Sequence, residues 1–180
     1  MTAEAPPRVR DATDADLAAI LAIYNDAVAN TTSIWNEALS DLAGRKAWLD
    51  ERTGRGFPVI IAEIDDPAGG TGGGAARRVA GYATYGPFRP HDGYRHSVEH
   101  SIYVDAALRG RGLGALLLEA LLARATAAGL HVMIGGIAAD NAVSIRLHEK
   151  LGFEKAALLR QVGRKFDRWL DLQFMTKILG

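Results

Sequence analysis

The stretch that decides the fold is Ser97–Gly114, SVEHSIYVDAALRGRGLG. Its first half is rich in β-branched and aromatic residues and predicts a strand, whereas its second half is a loop with arginines among glycines. The apolar run Ala115–Leu118 then begins a helix. A loop with few side chains at a helix N-terminus presents backbone N–H groups and the positive end of the helix dipole to a phosphate. Because Glu99 lies just upstream, we expect a phosphate-bearing cofactor beside a carboxylate base.

The spacing of the loop separates three kinds of phosphate-binding motif. A nucleotide-binding P-loop ends in Gly-Lys-Ser/Thr, which does not follow Gly112. A dinucleotide fingerprint fits Gly110, Gly112 and Ala115, but the gap after the strand is too long and the acidic residue expected about twenty residues later is absent. The pattern R-x-x-G-x-G/A fits Arg109, Gly112 and Gly114. Taken alone, such a loop is also compatible with a plain turn.

Composition excludes several classes of function. The chain has 180 residues, of which 48% are hydrophobic and 23% charged, and its formal net charge is zero. This balance predicts a globular domain with no preference for nucleic acid or an anionic membrane. The chain has no cysteine, so disulfides, thiolate metal sites and a cysteine nucleophile are excluded. No segment predicts a membrane span or a leader peptide, and the cytoplasm is the expected location.

Hydrophobic spacing predicts four helices and seven strands. The predicted strands are 9–12, 59–62, 79–85, 97–104, 131–137, 153–160 and 168–177, and the predicted helices are 14–30, a segment closed by Gly54, 113–129 and 141–151. The order is β-α-α-β-β-β-α-β-α-β-β. Because hairpins join the early and the final strands while helices cross over in the middle, we expect one α/β domain over 1–180 with a mixed sheet. The glycine-rich segment at about 66–76 predicts a flexible hairpin loop.

Four further runs carry a resemblance to a known family. They are SIWNE at 33–37, YRHSVEHSIYV at 94–104, LHEKLGF at 147–153 and QVGRKF at 161–166. With the R-x-x-G-x-G/A loop, the chain resembles the GNAT superfamily of N-acetyltransferases nearly end to end. Within it the chain is most similar to phosphinothricin and methionine sulfoximine/methionine sulfone N-acetyltransferases. The resemblance implies the GNAT fold, acetyl-CoA as co-substrate, a small amino acid as acceptor, and a homodimer. The sequence departs from the pattern in a longer 66–78 hairpin, in Asp167 for a glycine, and in His91 for an aromatic residue.

Glu99 is the candidate general base. Alternation along the strand places Glu99, Ser101 and Tyr103 on one face, with Val98, His100, Ile102 and Val104 on the other. An amine must lose its ammonium proton before it attacks a thioester, and a positioned carboxylate can accept that proton directly or through water. The resemblance implies the same role for Glu99, and a solvated strand carboxylate is the alternative.

The resemblance also implies the binding residues. For the cofactor they are Ile102, Tyr103, Val104, Arg109, Gly110, Arg111, Gly112, Leu113, Gly114, Ala115 and Asn141, with the pantetheine arm on the strand and the pyrophosphate on the loop. For the substrate they are Trp35, Arg89, Pro90, His91, Tyr94, Glu99, His100 and Ser101. Among these, Arg89 offers a guanidinium that matches a substrate carboxylate. Asn141 is expected to contact the pantetheine amides, to cap its helix, or both.

His148 is the second candidate catalytic residue. On the predicted 141–151 helix it shares a stripe with Asn141 and Ser144, while Val143 and Leu147, together with Leu151, form the stripe expected to be buried. Many acetyltransferases carry a tyrosine at this position to protonate the departing thiolate. A histidine can take that role, help to deprotonate the amine, or serve only as a structural residue.

Three other functions compete with this interpretation. His96–His100 matches H-x-x-E-H, a zinc-hydrolase signature that works on a helix. In a strand, residues four apart lie roughly 13 Å apart, which zinc–nitrogen bonds of about 2.1 Å do not span, so we expect no metal site. The other two alternatives keep the fold: an enzyme for a different small amine or peptide N-terminus, and a non-catalytic acyl-CoA-binding module.

Overall fold

The computed structural model describes residues 5–66 and 76–180. The strands are β1 (Arg8–Asp11), β2 (Val59–Asp65), β3 (Arg77–Pro87), β4 (Ser97–Val104), β5 (Val132–Ala138), β6 (Glu154–Lys165) and β7 (Arg168–Ile178). The α-helices are α1 (Leu17–Asn30), α2 (Leu42–Gly54), α3 (Leu113–Ala127) and α4 (Ala142–Lys150). The predicted element order is confirmed. The predicted flexible loop falls almost entirely on residues 67–75, outside the described residues. In the described ranges no helix is long and apolar enough to cross a membrane.

The strands form one mixed sheet in the order β1-β2-β3-β4-β5-β7-β6. All neighbours are antiparallel except β4 and β5, which run parallel. Their pairing covers only Ser97 to Glu99 on β4, opposite Val132 to Ile134 on β5. Beyond Glu99 the two strands separate, although each continues for several residues. This gap, called the β4–β5 opening below, leaves one edge of β4 without a strand partner in the described chain.

Helices cover both faces of the sheet, and alternation along the strands decides which residues they contact. On one face, Ile20 and Ile23 of α1 pack against Ile61 and Tyr82. On the other face, the leucines of α3 pack in the main core, which also contains Ile60. Neighbouring strand residues thus point to opposite layers, as the alternating pattern requires.

The β6–β7 hairpin is longer than the sequence predicts. β6 continues to Lys165 instead of ending near residue 160, with an irregular register between Leu159 and Gly163. Its turn is made by Phe166 and Asp167, with φ of +51° and +57°. A two-residue hairpin turn with both φ values positive matches the twist of the flanking strands. Asp tolerates this conformation better than most residues, so Asp167 is suited to this position of the turn.

Candidate active site

The loop before α3 is open and conformationally suited to phosphate. Gly110 and Gly112 have φ of +81° and +80°, a region that favours glycine, and no atom lies within 4 Å of where a Cβ would stand at either residue. Gly112 is the N-cap of α3, and its carbonyl accepts from Leu116 N. The N–H groups of the first turn have no acceptor within the helix. The loop therefore has backbone N–H donors at a place where no other part of the described chain blocks access for a ligand.

Two predicted cofactor residues that are far apart in sequence line one cleft. Arg109 and Asn141 both border a cleft of about 460 Å³, together with residues that follow α1 and with Arg168. Arg109 lies 3.5 Å from the Asp26 carboxylate. Asn141 also caps α4, because its side-chain oxygen accepts from Ser144 N at 3.1 Å. Asn141 thus caps its helix and faces the cleft at once.

The apolar end of β4 sends its side chains into the core. Ile102 and Val104 pack against the main core, and the Tyr103 ring lies 5.2 Å from the ring of Tyr82 on the opposite face. The side chains of these residues are therefore occupied by packing. At the β4–β5 opening, β4 therefore exposes backbone N–H and C=O groups that no strand pairs with in the described chain.

Glu99 lies where the β4–β5 pairing ends. Its Oε1 lies 2.9 Å from the position that a Cβ on Gly136 would occupy, so the carboxylate lies over a glycine of β5. Burial raises the pKa of Glu99, and the nearby Arg89 guanidinium partly offsets this by lowering it. A carboxylate that is partly desolvated and has a raised pKa is suited to accept a proton near neutral pH.

Aromatic rings form a wall beside Glu99. The Arg89 guanidinium lies 4.3 Å from the ring of Phe88, which makes edge contacts with Tyr94 at 5.9 Å and Phe174 at 6.2 Å. Arg89 and Tyr94, two of the residues predicted to bind substrate, thus both contact Phe88. Phe88 and Phe174 are additions from the structure. Phe88 was adjacent to a predicted residue, whereas nothing in the sequence pairs it with Phe174 on β7.

The remaining residues that were predicted to bind substrate do not form one cluster around Glu99. Pro90 and His91 are exposed, and the His91 carbonyl accepts from Tyr94 N at 2.9 Å. Ser101 is half-buried on the face that Glu99 occupies. The ring of Trp35 lies against Gly163 of β6, where a Cβ would come within 2.1 Å of Cε3, and its Nε1 donates to Thr32 O.

Lys165 anchors the segment that carries Trp35. Its side chain is buried, and Nζ donates to the carbonyls of Val28, Thr31 and Ile34 at 2.5, 2.8 and 2.5 Å. Burial lowers the pKa of Lys165. The β6–β7 hairpin therefore fixes the end of α1 and the loop that follows it.

His100 lies on the opposite side of the sheet from Glu99. Its side chain is buried, and its Nε2 lies 3.0 Å from Nε2 of His148. Phe153 contacts both imidazole rings edge-on. This placement corrects the prediction that His100 binds substrate, because alternation turns it away from the face on which Glu99 and Arg89 meet.

The prediction for α4 is wrong for Val143. This residue is 72% exposed, whereas His148 is 3% exposed. The stripe that packs inward is Ile145, His148 and Leu151, at spacings of three residues. Leu147 contacts α3 at Gly114, where a Cβ would lie 3.2 Å from its Cδ2. The polar histidine faces inward because it finds a partner there, which an amphipathic pattern does not reveal.

The pKa values of both imidazoles are lowered, mainly by burial. Burial, and secondarily the charge of His148, lowers the pKa of His100 to about 3. Burial also lowers the pKa of His148, against a smaller opposite effect from the Ser144 carbonyl. The segment that carries H-x-x-E-H is strand β4, so the helical arrangement of the zinc alternative does not form.

Known proteins share this loop, strand and helix arrangement. Residues 20–153 match the acetyltransferase (GNAT) family. The chain is 54% identical to L-methionine sulfoximine/L-methionine sulfone acetyltransferase of Pseudomonas aeruginosa, over 93% of this chain and 91% of that protein. A Salmonella typhimurium acetyltransferase structure with its cofactor acetyl-CoA superposes with a TM-score of 0.88 at 45% identity, covering 97% of this chain and 94% of that one. A phosphinothricin acetyltransferase structure from Sinorhizobium meliloti in complex with acetyl-CoA superposes with a TM-score of 0.87 at 37% identity, covering 97% and 89%. The chain belongs to the acetyltransferase (GNAT) family and is an N-acetyltransferase.

Proposed function

We propose that the protein transfers the acetyl group of acetyl-CoA to the α-amino group of a small amino acid, with Glu99 as the base. The observation that carries the proposal is the position of Glu99. Its partly buried carboxylate, with a raised pKa, lies where β4 and β5 separate, on the strand that leads into the open loop and α3. The proposed base and the proposed pyrophosphate site would thus lie on one short stretch of chain.

The cofactor is proposed to bind along that stretch. The backbone from Gly110 to Ala115 would hold the pyrophosphate, since both positive-φ glycines are open to solvent and α3 begins there. The pantetheine arm would pair with the free edge of β4 up to Val104 and contact Asn141. The side chains of Ile102 and Tyr103 would shape this channel from the core side.

The proposed reaction begins with a proton transfer to Glu99 and continues with attack on the thioester beside β4. Glu99 accepts a proton from the substrate ammonium group, directly or through a water molecule. The free amine attacks the thioester carbonyl, and a backbone N–H of β4 stabilises the oxyanion that forms. Collapse of this intermediate breaks the carbon–sulfur bond and releases coenzyme A as the thiolate, which takes up the second proton that the attacking nitrogen gives up, directly or through water. The chain has no cysteine to form an acyl-thioester enzyme, so we propose direct transfer in a ternary complex.

The acceptor is proposed to be methionine sulfoximine, methionine sulfone or phosphinothricin. The names of the similar proteins support this class. Within this chain, Arg89 supplies a guanidinium close enough to influence Glu99, so a substrate amine at Glu99 would place its α-carboxylate near Arg89. The rings of Phe88 and Phe174 would contact the side chain.

The test is coenzyme A thiol release across a panel of amines, with products identified by mass spectrometry. The panel contains the three proposed substrates, other amino acids, polyamines, aminoglycosides and peptide N-termini. We expect N-acetyl products chiefly from the small amino acids. Preference for polyamines or peptide N-termini would overturn the substrate class. Binding of coenzyme A without turnover on any amine would favour the non-catalytic module.

We also propose that two copies associate through the β6 side of the sheet. β6 is the outermost strand, nearly all of its side chains are exposed, and Leu158, Leu159 and Val162 are among them. An edge strand with apolar side chains invites pairing with another chain. Light scattering should give twice the chain mass, and Val162→Lys should shift the protein towards the monomer. A wild-type monomer at micromolar concentration would contradict the proposal.

A further inference from the structure

We propose that His100 is a positioning residue, which donates a hydrogen bond from Nε2 to Nε2 of His148 and holds His148 as the neutral Nδ1–H tautomer. The inference deepens the proposed function and rests on it for its kinetic consequence. His100 was expected to contact substrate, and His148 was a candidate proton donor. Their geometry assigns different tasks to both.

The proton positions follow from the hydrogen-bond partners. Nδ1 of His148 lies 2.7 Å from the Ser144 carbonyl, which only accepts, so Nδ1 carries a hydrogen. In a neutral imidazole Nε2 of His148 is then an acceptor. His100 must supply the hydrogen between the two Nε2 atoms, which are 3.0 Å apart. Nδ1 of His100 is therefore bare, and in the described chain it is buried without a partner.

The ring geometry fits this single bond. The two planes differ by 14° and the ring centroids are 5.0 Å apart, with the Nε2 atoms between them. The two Nε2 atoms are closer together than the ring centroids, so the nearly parallel rings point these nitrogens at each other, as an N–H···N bond requires. Gly135 of β5 permits this approach, because a Cβ there would lie 2.9 Å from Nε2 of His100 and 3.3 Å from Nε2 of His148.

The surroundings favour the uncharged pair. β5 contributes Gly135, α4 contributes the Ser144 carbonyl, and Phe153 contributes an aromatic ring. The pKa of each imidazole is lowered mainly by burial, with the partner imidazole as a second cause at His100. Glu99 lies on the opposite face over Gly136. Among these contacts only the Ser144 carbonyl favours a charged imidazole, and its effect is smaller than that of burial, so the pair stays neutral.

The consequence for the reaction is that the two faces of β5 have different roles, with the histidine pair positioning the strands and Glu99 acting as the base. Both nitrogens of His148 are engaged, so at neutral pH it has no free proton for a departing thiolate. The pair instead ties α4 to β4 where strand pairing stops, and it keeps positive charge away from the opening. A cation there would lower the pKa of Glu99 and weaken the base.

Two substitutions separate the hydrogen bond from the bulk of the side chain. His100→Gln keeps an N–H donor at the end of the side chain, whereas His100→Leu removes it. Nitrogen-15 NMR of the histidine rings on the full chain should show His148 as the Nδ1–H tautomer from pH 5.5 to 8 in wild type and His100→Gln, without titration. In His100→Leu the acceptor Nε2 of His148 loses its hydrogen bond, so its nitrogen-15 resonance should move to that of an unbonded imidazole nitrogen and the single tautomer should no longer be enforced. The kcat of His100→Leu should fall below that of the other two proteins, because the hydrogen bond that ties α4 to β4 is lost.

A matched control is Phe153→Leu, which alters packing at both rings but leaves the donor in place and should keep the tautomer. A wild-type His148 that is cationic or carries its hydrogen on Nε2 at pH 7 would overturn the inference, even if no variant folds. An unchanged His148 spectrum in folded His100→Leu would overturn it too. These spectra need no acetyl-CoA. An inactive protein with the expected spectra therefore contradicts only the proposed function.

Discussion

At the scale of single residues, Glu99 is the group that we propose as the general base. Glu99→Gln keeps the shape of the side chain and removes the base, so turnover at neutral pH should fall about 10²-fold or more. Coenzyme A binding, followed by calorimetry, should not change, because the loop before α3 is untouched. Glu119→Gln, on an exposed position of α3, is the control and should behave as wild type. A Glu99→Gln enzyme with nearly normal turnover would remove the base role from this residue.

The pH dependence of the rate should report the environment of Glu99. Burial raises its pKa and Arg89 lowers it, so the acid limb of kcat/KM should lie above the range of an ordinary glutamate. Activity requires the carboxylate and is lost as the pH falls through this pKa. In Arg89→Ala the acid limb should move further up in pH, since the lowering charge is gone. A downward shift would contradict the placement of Arg89 beside Glu99.

Arg89 should also distinguish substrates by their carboxylate. Loss of a charge-assisted hydrogen bond costs about 1.5–3 kcal/mol, so Arg89→Ala should raise KM for the amino acid roughly tenfold to a hundredfold. KM for acetyl-CoA, and that for a matched amine without the carboxylate, should change little. Arg95→Ala is the control, because Arg95 is exposed on the same loop. Equal losses on both amines would show that Arg89 has a structural role.

At the scale of elements, the two ends of α3 offer a matched pair of glycines. Gly112 and Gly129 have φ of +80° and +70°, and neither has an atom near its Cβ position. Alanine at either residue should cost about 1 kcal/mol of stability from backbone strain alone. Only Gly112→Ala should weaken coenzyme A binding, by about tenfold or more, because only that end of α3 is proposed to bind the pyrophosphate. Equal affinities of the two variants by calorimetry would remove the loop from the cofactor site.

The docking of the β6–β7 hairpin depends on Lys165. Lys165→Met keeps the approximate length of the side chain, but it leaves the carbonyls of Val28, Thr31 and Ile34 without their donor. This loss should lower the free energy of unfolding by about 3 kcal/mol. Lys155→Met is the control, since Lys155 is exposed and its ion pair with Glu149 should contribute about 1 kcal/mol or less. Similar melting temperatures for both variants would show that the buried ammonium is not needed.

The sequence predicts elements better than it predicts their contacts. β4, the loop and α3 could be predicted because alternation, glycine placement and apolar spacing are local signals. The buried face of α4 could not, because the partner that draws His148 inward lies on β4, 48 residues away. The wall of Phe88 and Phe174 is likewise a contact between distant strands.

At the scale of the whole molecule, the site depends on a break in the sheet. β4 keeps its alternating pattern to Val104, and nothing in that pattern shows that pairing with β5 stops after Glu99. Beside the point where the pairing ends, the His100–His148 pair lies on one face of β5 and Glu99 on the other, over consecutive glycines. Glu99, the free edge of β4 and the open loop before α3 lie along one continuous stretch of chain. The strand and the loop could be predicted from the sequence, but their alignment with Glu99 is visible only in the folded structure.

The measurement that tests this alignment most directly is a structure of the protein with coenzyme A and L-methionine sulfoximine bound. We predict the pyrophosphate on the backbone of Gly110 to Ala115 and the thiol between β4 and β5. The substrate amine should lie within hydrogen-bond distance of the Glu99 carboxylate, or one water molecule away, with its carboxylate on Arg89. A substrate amine on the His148 face of β5, or a coenzyme A pyrophosphate away from the loop, would contradict the account.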